Sequence, residues 1–151
     1  MPNLITNNGA ALLLAAGVSG SPGMGAALKW MLVGPGYVPD QDDVYASTAS
    51  AFELSVSGYT GGYGGSGRRS FSMPSIVADN TNNRAYLTGD MAAWTALGAC
   101  TIVHALLVYE TGGSDGTSPI IAAVEASATL VGGEGFNLVP GALIGFLRLN
   151  C

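Results

Sequence analysis

The 151 residues suffice for one domain with a real core and are too few for two comfortable ones. Hydrophobic residues make up 48% and charged residues 10%, against roughly 25% charged in ordinary soluble domains, which excludes disorder over most of the length. The net charge is −5, and the basic residues Lys29, Arg68, Arg69, Arg84 and Arg148 form no run beyond one pair, so the phosphate-neutralising footprint of a nucleic-acid binder is missing.

Residues 1–26 read as an N-terminal arm: polar from Asn3 to Asn8, then an Ala/Leu run, then Gly, Ser and Pro. Asn7 or Asn8 can N-cap a short helix reaching Leu14 and closed by Gly17; the alternative is an extended segment. Either form is marginal alone and needs a surface to lie against. Leu4, Ile5, Leu12, Leu13, Leu14 and Val18 are therefore the candidate interface residues. No Lys or Arg precedes Lys29, so the positive region of a secretory signal is lacking. No stretch approaches roughly 20 uninterrupted apolar residues, so a soluble chain without a membrane partner is expected.

Residues 27–151 carry the punctuation of a β-domain, with glycines clustered between apolar runs. Ala27–Val33 reads as a buried strand ended by Gly34-Pro35-Gly36. Ala51–Val56 alternates, with Phe52, Leu54 and Val56 on one face and Glu53 and Ser55 on the other. Gly58 to Gly67 reads as a mobile surface loop carrying Tyr59 and Tyr63, and Arg68–Met73 alternates again, with Phe71 and Met73 inward. Asp79–Asn83 is a run that tolerates left-handed backbone and predicts a hairpin of Ser75–Ala78 with Arg84–Thr88. Thr101–Tyr109 is apolar on both parities and so predicts a central strand. Pro119–Ser127, Leu130–Leu138 and Leu143–Leu149 complete the set. About eight strands and no helical crossovers predict an all-β, antiparallel two-sheet sandwich, jelly-roll-like, with a closed barrel as the alternative.

No reactive constellation stands out. His104 is the lone histidine, mid-strand on the face of Ile102, Leu106 and Val108, and reads as a core or interface residue. Cys100 and Cys151 have no metal spacing and read as free thiols, a disulfide being the alternative. The glycine-rich run lacks the Lys-Ser/Thr and following helix of a phosphate loop. Asp79, Asp90, Glu110, Asp115 and Glu125 hold the carboxylates from which a glycosidase pair would be drawn, but acidic residues at strand ends are the norm. Trp30 and Trp94 are flanked by apolar residues and read as core rather than as sugar platforms with Tyr59 and Tyr63. Asp40, Asp42 and Asp43 match no calcium loop and read as a solvated turn. No cofactor, metal or catalytic residue is expected.

From Lys29 onward the order of motifs resembles small virion-associated proteins of tailed bacteriophages. The resembling pieces are Lys29–Val33 (KWMLV), Gly36–Asp42 (GYVPDQD), Glu53–Gly62 (ELSVSGYTGG), Val77–Arg84 (VADNTNNR), Asp90–Trp94 (DMAAW), Leu106–Thr111 (LLVYET), Ser118–Ala122 (SPIIA), Gly132–Phe136 (GGEGF) and Gly145–Leu149 (GFLRL). Residues 1–26 and Cys151 depart from the pattern. The resemblance implies a virion structural component with no catalytic motif to carry across. The expected role is a capsid decoration (cement) protein on the capsid surface, made in the host cytoplasm, with the major capsid protein and further copies of itself, as a homotrimer or other cyclic oligomer, as partners. A neck or tail component, and a carbohydrate-binding head-fibre or receptor-binding module, are the alternatives. Low charge suits surfaces covered by other subunits, and Leu4 to Val18 would be the capsid-facing arm while the Gly58–Gly67 loop points outward.

Overall fold

A computed structural model describes residues 4–12, 27–71, 75–79, 81, 84–88, 90, 92–138 and 144–145. Ten strands follow in chain order: β1 (Leu4–Ile5), β2 (Leu28–Val33), β3 (Arg69–Ser70), β4 (Ser75–Asp79), β5 (Arg84–Thr88), β6 (Ala92–Leu97), β7 (Cys100–Tyr109), β8 (Ile120–Leu130), β9 (Glu134–Leu138) and β10 (Ile144–Gly145). They form a five-stranded sheet ordered β1-β8-β7-β2-β3, a three-stranded sheet β10-β5-β4 and the pair β6-β9, with antiparallel pairing throughout. The chain is thus an all-β antiparallel structure of sandwich type. Among the described residues its strands divide five, three and two.

β7 is the middle strand of the large sheet, as its two-sided apolar sequence requires, and each face of that sheet has its own core. On one face Trp30, Leu32, Ala105, Leu107 and Ile121 pack against Trp94, Leu97, Phe136 and Leu138 of the β6-β9 pair. Trp30 meets Phe71 edge-on at 5.5 Å, and Trp94 meets Phe136 at 5.7 Å. Each fully buried side chain of this size contributes about 1.5–3 kcal/mol. On the other face Met31, Val33, Leu106, Val108 and Ile120 are covered by Tyr37, Ala46 and Ala49, which belong to an irregular segment over residues 34–53.

Several expectations need correction. Ala51–Val56 is not a strand: it enters through two 3₁₀ turns, Ala46–Thr48 and Ser50–Phe52, and only isolated bridges tie Glu53 to Val33 and Val56 to Tyr59. Phe52 is 38% exposed whereas Leu54 is buried and Val56 packs against the core, so the three do not share a face. Ala92–Leu97, in contrast, is a strand that the sequence reading left unassigned. Ile102 and His104 do not share a face. A register shift between them turns Ile102 into the aromatic core, while Leu106 and Val108 enter the other. The hairpin β4-β5 forms as expected, Ser75 opposite Thr88 and Asp79 opposite Arg84.

The N-terminal segment is docked rather than free. Leu4 and Ile5 pair with Ala123 and Ala122 at the β8 edge, and residues 7–12 continue as helix. The cap is buried Thr6, not Asn7 or Asn8: its Oγ1 accepts from Gly9 N at 2.9 Å and donates to the Ile120 carbonyl. Gly9 is required there, because a Cβ at that position would stand 2.2 Å from the Ile121 carbonyl oxygen. Of the six candidate interface residues, Leu4, Ile5 and Leu12 pack against the chain's own two cores. The unpaired β8 edge offers Leu4 and Ile5 backbone partners that a free arm would lack. Leu13, Leu14 and Val18 lie outside the described residues.

Candidate functional site

The glycine-rich loop folds down onto the end of the large sheet, and what holds it there is Arg68. The side chain is fully buried and all five of its N–H donors are used. Nε and Nη2 donate to Glu53 at 2.8 and 2.7 Å, Nη1 and Nη2 donate to Asp115 at 2.7 and 3.0 Å, and Nη1 also donates to Glu110 at 3.0 Å. These carboxylates come from three places: the exit of the 3₁₀ turns, the end of β7, and the 3₁₀ turn Asp115–Thr117. Burial alone would lower the guanidinium pKa, but Glu53 and Asp115 outweigh it and hold the group above its ordinary value. Three carboxylates around one cation leave a formal excess of two negative charges.

The loop backbone completes the network. Gly62 N donates to Glu53 Oε2 at 2.8 Å and Gly64 N to Glu110 Oε1 at 3.3 Å, so the amides a phosphate would need are committed to the chain's own carboxylates. Tyr59 is buried; its hydroxyl donates to Glu53 Oε1 at 2.9 Å and accepts from Leu32 N at 3.0 Å. Burial, then the Glu53 charge, pushes its pKa well up. Trp94 Nε1 donates to the Gly67 carbonyl at 2.6 Å, tying the aromatic core to the same loop. Gly65 shows why glycine is dense here: a Cβ on it would stand 2.4 Å from the carbonyl oxygens of Thr60 and Gly61. The loop is a stapled element, not the mobile one expected.

Above this network lies a groove of about 600 Å³, lined by Ser50, Glu53–Ser57, Tyr59–Gly62 and Asp115. Sequence reasoning set Glu53 with Ser55 on the face opposite Leu54 and gave Arg68 no partner, so it missed the assembly. The available signal was one Arg pair in a chain with five basic residues, following directly on the glycine-rich run.

The other candidates stay apart from it. Trp30 and Trp94 are core residues, and Tyr63 is exposed. Asp90 and Glu125 are exposed, Asp79 ends β4, and Glu110 and Asp115 come together on Arg68. His104 is 8% exposed between Val33 of β2 and Glu125 of β8, and its Nδ1 has no partner. Burial lowers its pKa, against a smaller opposing pull from Glu125. Cys100 carries a half-buried free thiol whose pKa burial raises, and Cys151 lies outside the described residues. Asp40, Asp42 and Asp43 do build a turn: Asp43 accepts from Tyr37 Oη at 2.6 Å, and Asp42 accepts from Asn7 Nδ2 at 2.9 Å. Among the described residues no group of three metal-ligating side chains gathers, and no helix is long and apolar enough to cross a membrane. No family model, curated protein or solved structure matches the chain.

Proposed function

We propose that this chain is a structural protein of a tailed-phage virion, seated on the capsid as a decoration protein and working by contact rather than catalysis. The observation that carries the reading is where its exposed apolar side chains lie. Among the described residues four of the six large exposed apolar side chains, Val38, Val44, Tyr45 and Phe52, belong to the irregular segment that covers a face of the five-stranded sheet; Tyr63 and Val131 lie elsewhere. Four of the chain's charged side chains, Arg68, Glu53, Glu110 and Asp115, face one another rather than a partner. An exposed apolar cluster, here beside the Asp40, Asp42 and Asp43 turn, suits burial beneath a larger shell or further copies of the chain. The order of motifs from Lys29 onward is the reason for choosing a phage shell over other assemblies.

With Leu4, Ile5 and Leu12 engaged in the chain's own cores, the 38–52 segment is the better candidate for the capsid-facing surface. Washed particles test the reading by band intensity against the major capsid protein. Copies on the order of hundreds are expected; about six or twelve would move the chain to the neck or tail, and none would overturn the virion assignment. Val38→Asp with Phe52→Asp should lower occupancy while the purified chain stays folded.

A further inference from the structure

We infer that the groove above the Arg68 network binds a neutral, hydroxyl-rich ligand, a glycan of uncharged hexose or N-acetylhexosamine units. Its volume, about 600 Å³, falls within the range of small-ligand sites. Ser55, Ser57 and Thr60 line it, are exposed, and spend their hydroxyls on no bond within the chain. Each hydroxyl both donates and accepts, which is what a sugar hydroxyl requires of its partner. Asp115 adds an acceptor: each of its oxygens takes one bond from Arg68 and keeps a second lone pair. Glu53 adds none, because each of its oxygens already accepts two.

The same features exclude other ligand classes. Two excess negative charges beneath the groove oppose phosphate, sulfate and carboxylate ligands. Leu54 and Val56 are the only aliphatic residues in the lining, too little for a lipid tail. Glu53 is bridged to Val33 and Val56 to Tyr59, so these walls do not offer a free strand edge to a peptide. The floor is fixed by Arg68, so little ordering is left to oppose binding.

This site does not depend on the capsid reading, and the test keeps the two apart. The ¹⁵N-labelled chain is titrated with glucose, galactose, N-acetylglucosamine and their short oligomers, and backbone shifts are followed. Saturable shifts confined to Ser55–Gly62 and Asp115 are expected for a subset of these sugars, with no response to a sulfated oligomer. Ser57→Ala with Thr60→Ala should weaken binding roughly tenfold. Ser55→Trp, which fills the groove without touching Arg68, should abolish it; if that variant unfolds, the double alanine variant carries the test. No saturable shift, shifts scattered over the sheets, preference for the sulfated oligomer, or unchanged binding in the variants would overturn the proposal. Particle occupancy of the same variants should remain at the parent level, so loss of glycan binding and loss of docking are read separately.

Discussion

The two faces of the five-stranded sheet are covered in different ways. One is roofed by a strand pair whose tryptophan, leucine and phenylalanine side chains interlock with Trp30 and Phe71. The other is roofed by an irregular segment that contributes Tyr37 and two alanines and is held by backbone bonds, such as Gly34 N to Phe52 O at 2.8 Å and Ala46 N to Ser118 O at 2.8 Å. The first roof hides its large side chains, whereas the second leaves Val38, Val44, Tyr45 and Phe52 in solvent. A regular strand sends alternate residues into the core, whereas the irregular path over residues 34–53 keeps no such alternation and leaves apolar residues outward. Exposed apolar surface is thus concentrated on the face where secondary structure is least regular.

Substitutions on the two roofs should separate them. Arg68→Met should be the most damaging, because Glu53 closes the irregular roof and the neighbouring Gly67 receives Trp94 from the other. Three carboxylates then lose their cation, at about 3–5 kcal/mol in denaturant unfolding, and both roofs loosen. Trp94→Ala should cost about 3–5 kcal/mol as well, but with the network intact, so Tyr59 should keep its native environment in near-ultraviolet spectra. On the irregular roof Tyr37→Phe removes only the bond to Asp43, at about 1 kcal/mol, and equal losses on the two faces would sink the distinction. Ala96, at φ 53 in the β6 irregularity, should gain about 0.5–1 kcal/mol on substitution by Gly.

The smallest effect is the pH dependence set by His104. Its pKa is lowered in the folded state, so as pH falls through about 6.5 the unfolded chain takes up a proton that the folded one refuses. This contribution is complete above that pH and is lost on acidification. His104→Gln should flatten that part of the stability profile, and an unchanged slope would show that the imidazole is not the group responsible.

Much of the fold was legible where local pattern and tertiary role agree. The Asp79–Asn83 run set the β4-β5 hairpin, the two-sided apolar run set β7 at the centre, and Trp30 and Trp94 read as core from their neighbours. The Ala51–Val56 alternation misled because period two over six residues does not exclude 3₁₀ turns. Ala92–Leu97 escaped because Ala93, Thr95 and Ala96 dilute its apolar face. The Arg68 assembly was illegible for another reason: its partners lie 15, 42 and 47 residues away, and no local pattern encodes such distant contacts. Thr6 was overlooked as a cap because the Asn7-Asn8 pair beside it matches the same preference.

The pairing of Leu4 and Ile5 with Ala123 and Ala122 has a consequence for biosynthesis. The earliest stretch of this sheet to leave the ribosome has no seat until β8 has been translated, more than a hundred residues later. β2 likewise waits for β7, so the nascent chain carries apolar strands in water for most of its synthesis and acquires its native topology late. Chaperone demand during translation should accordingly be high for a chain of this size, and should fall in a circular permutant that makes residues 4–12 directly after β8.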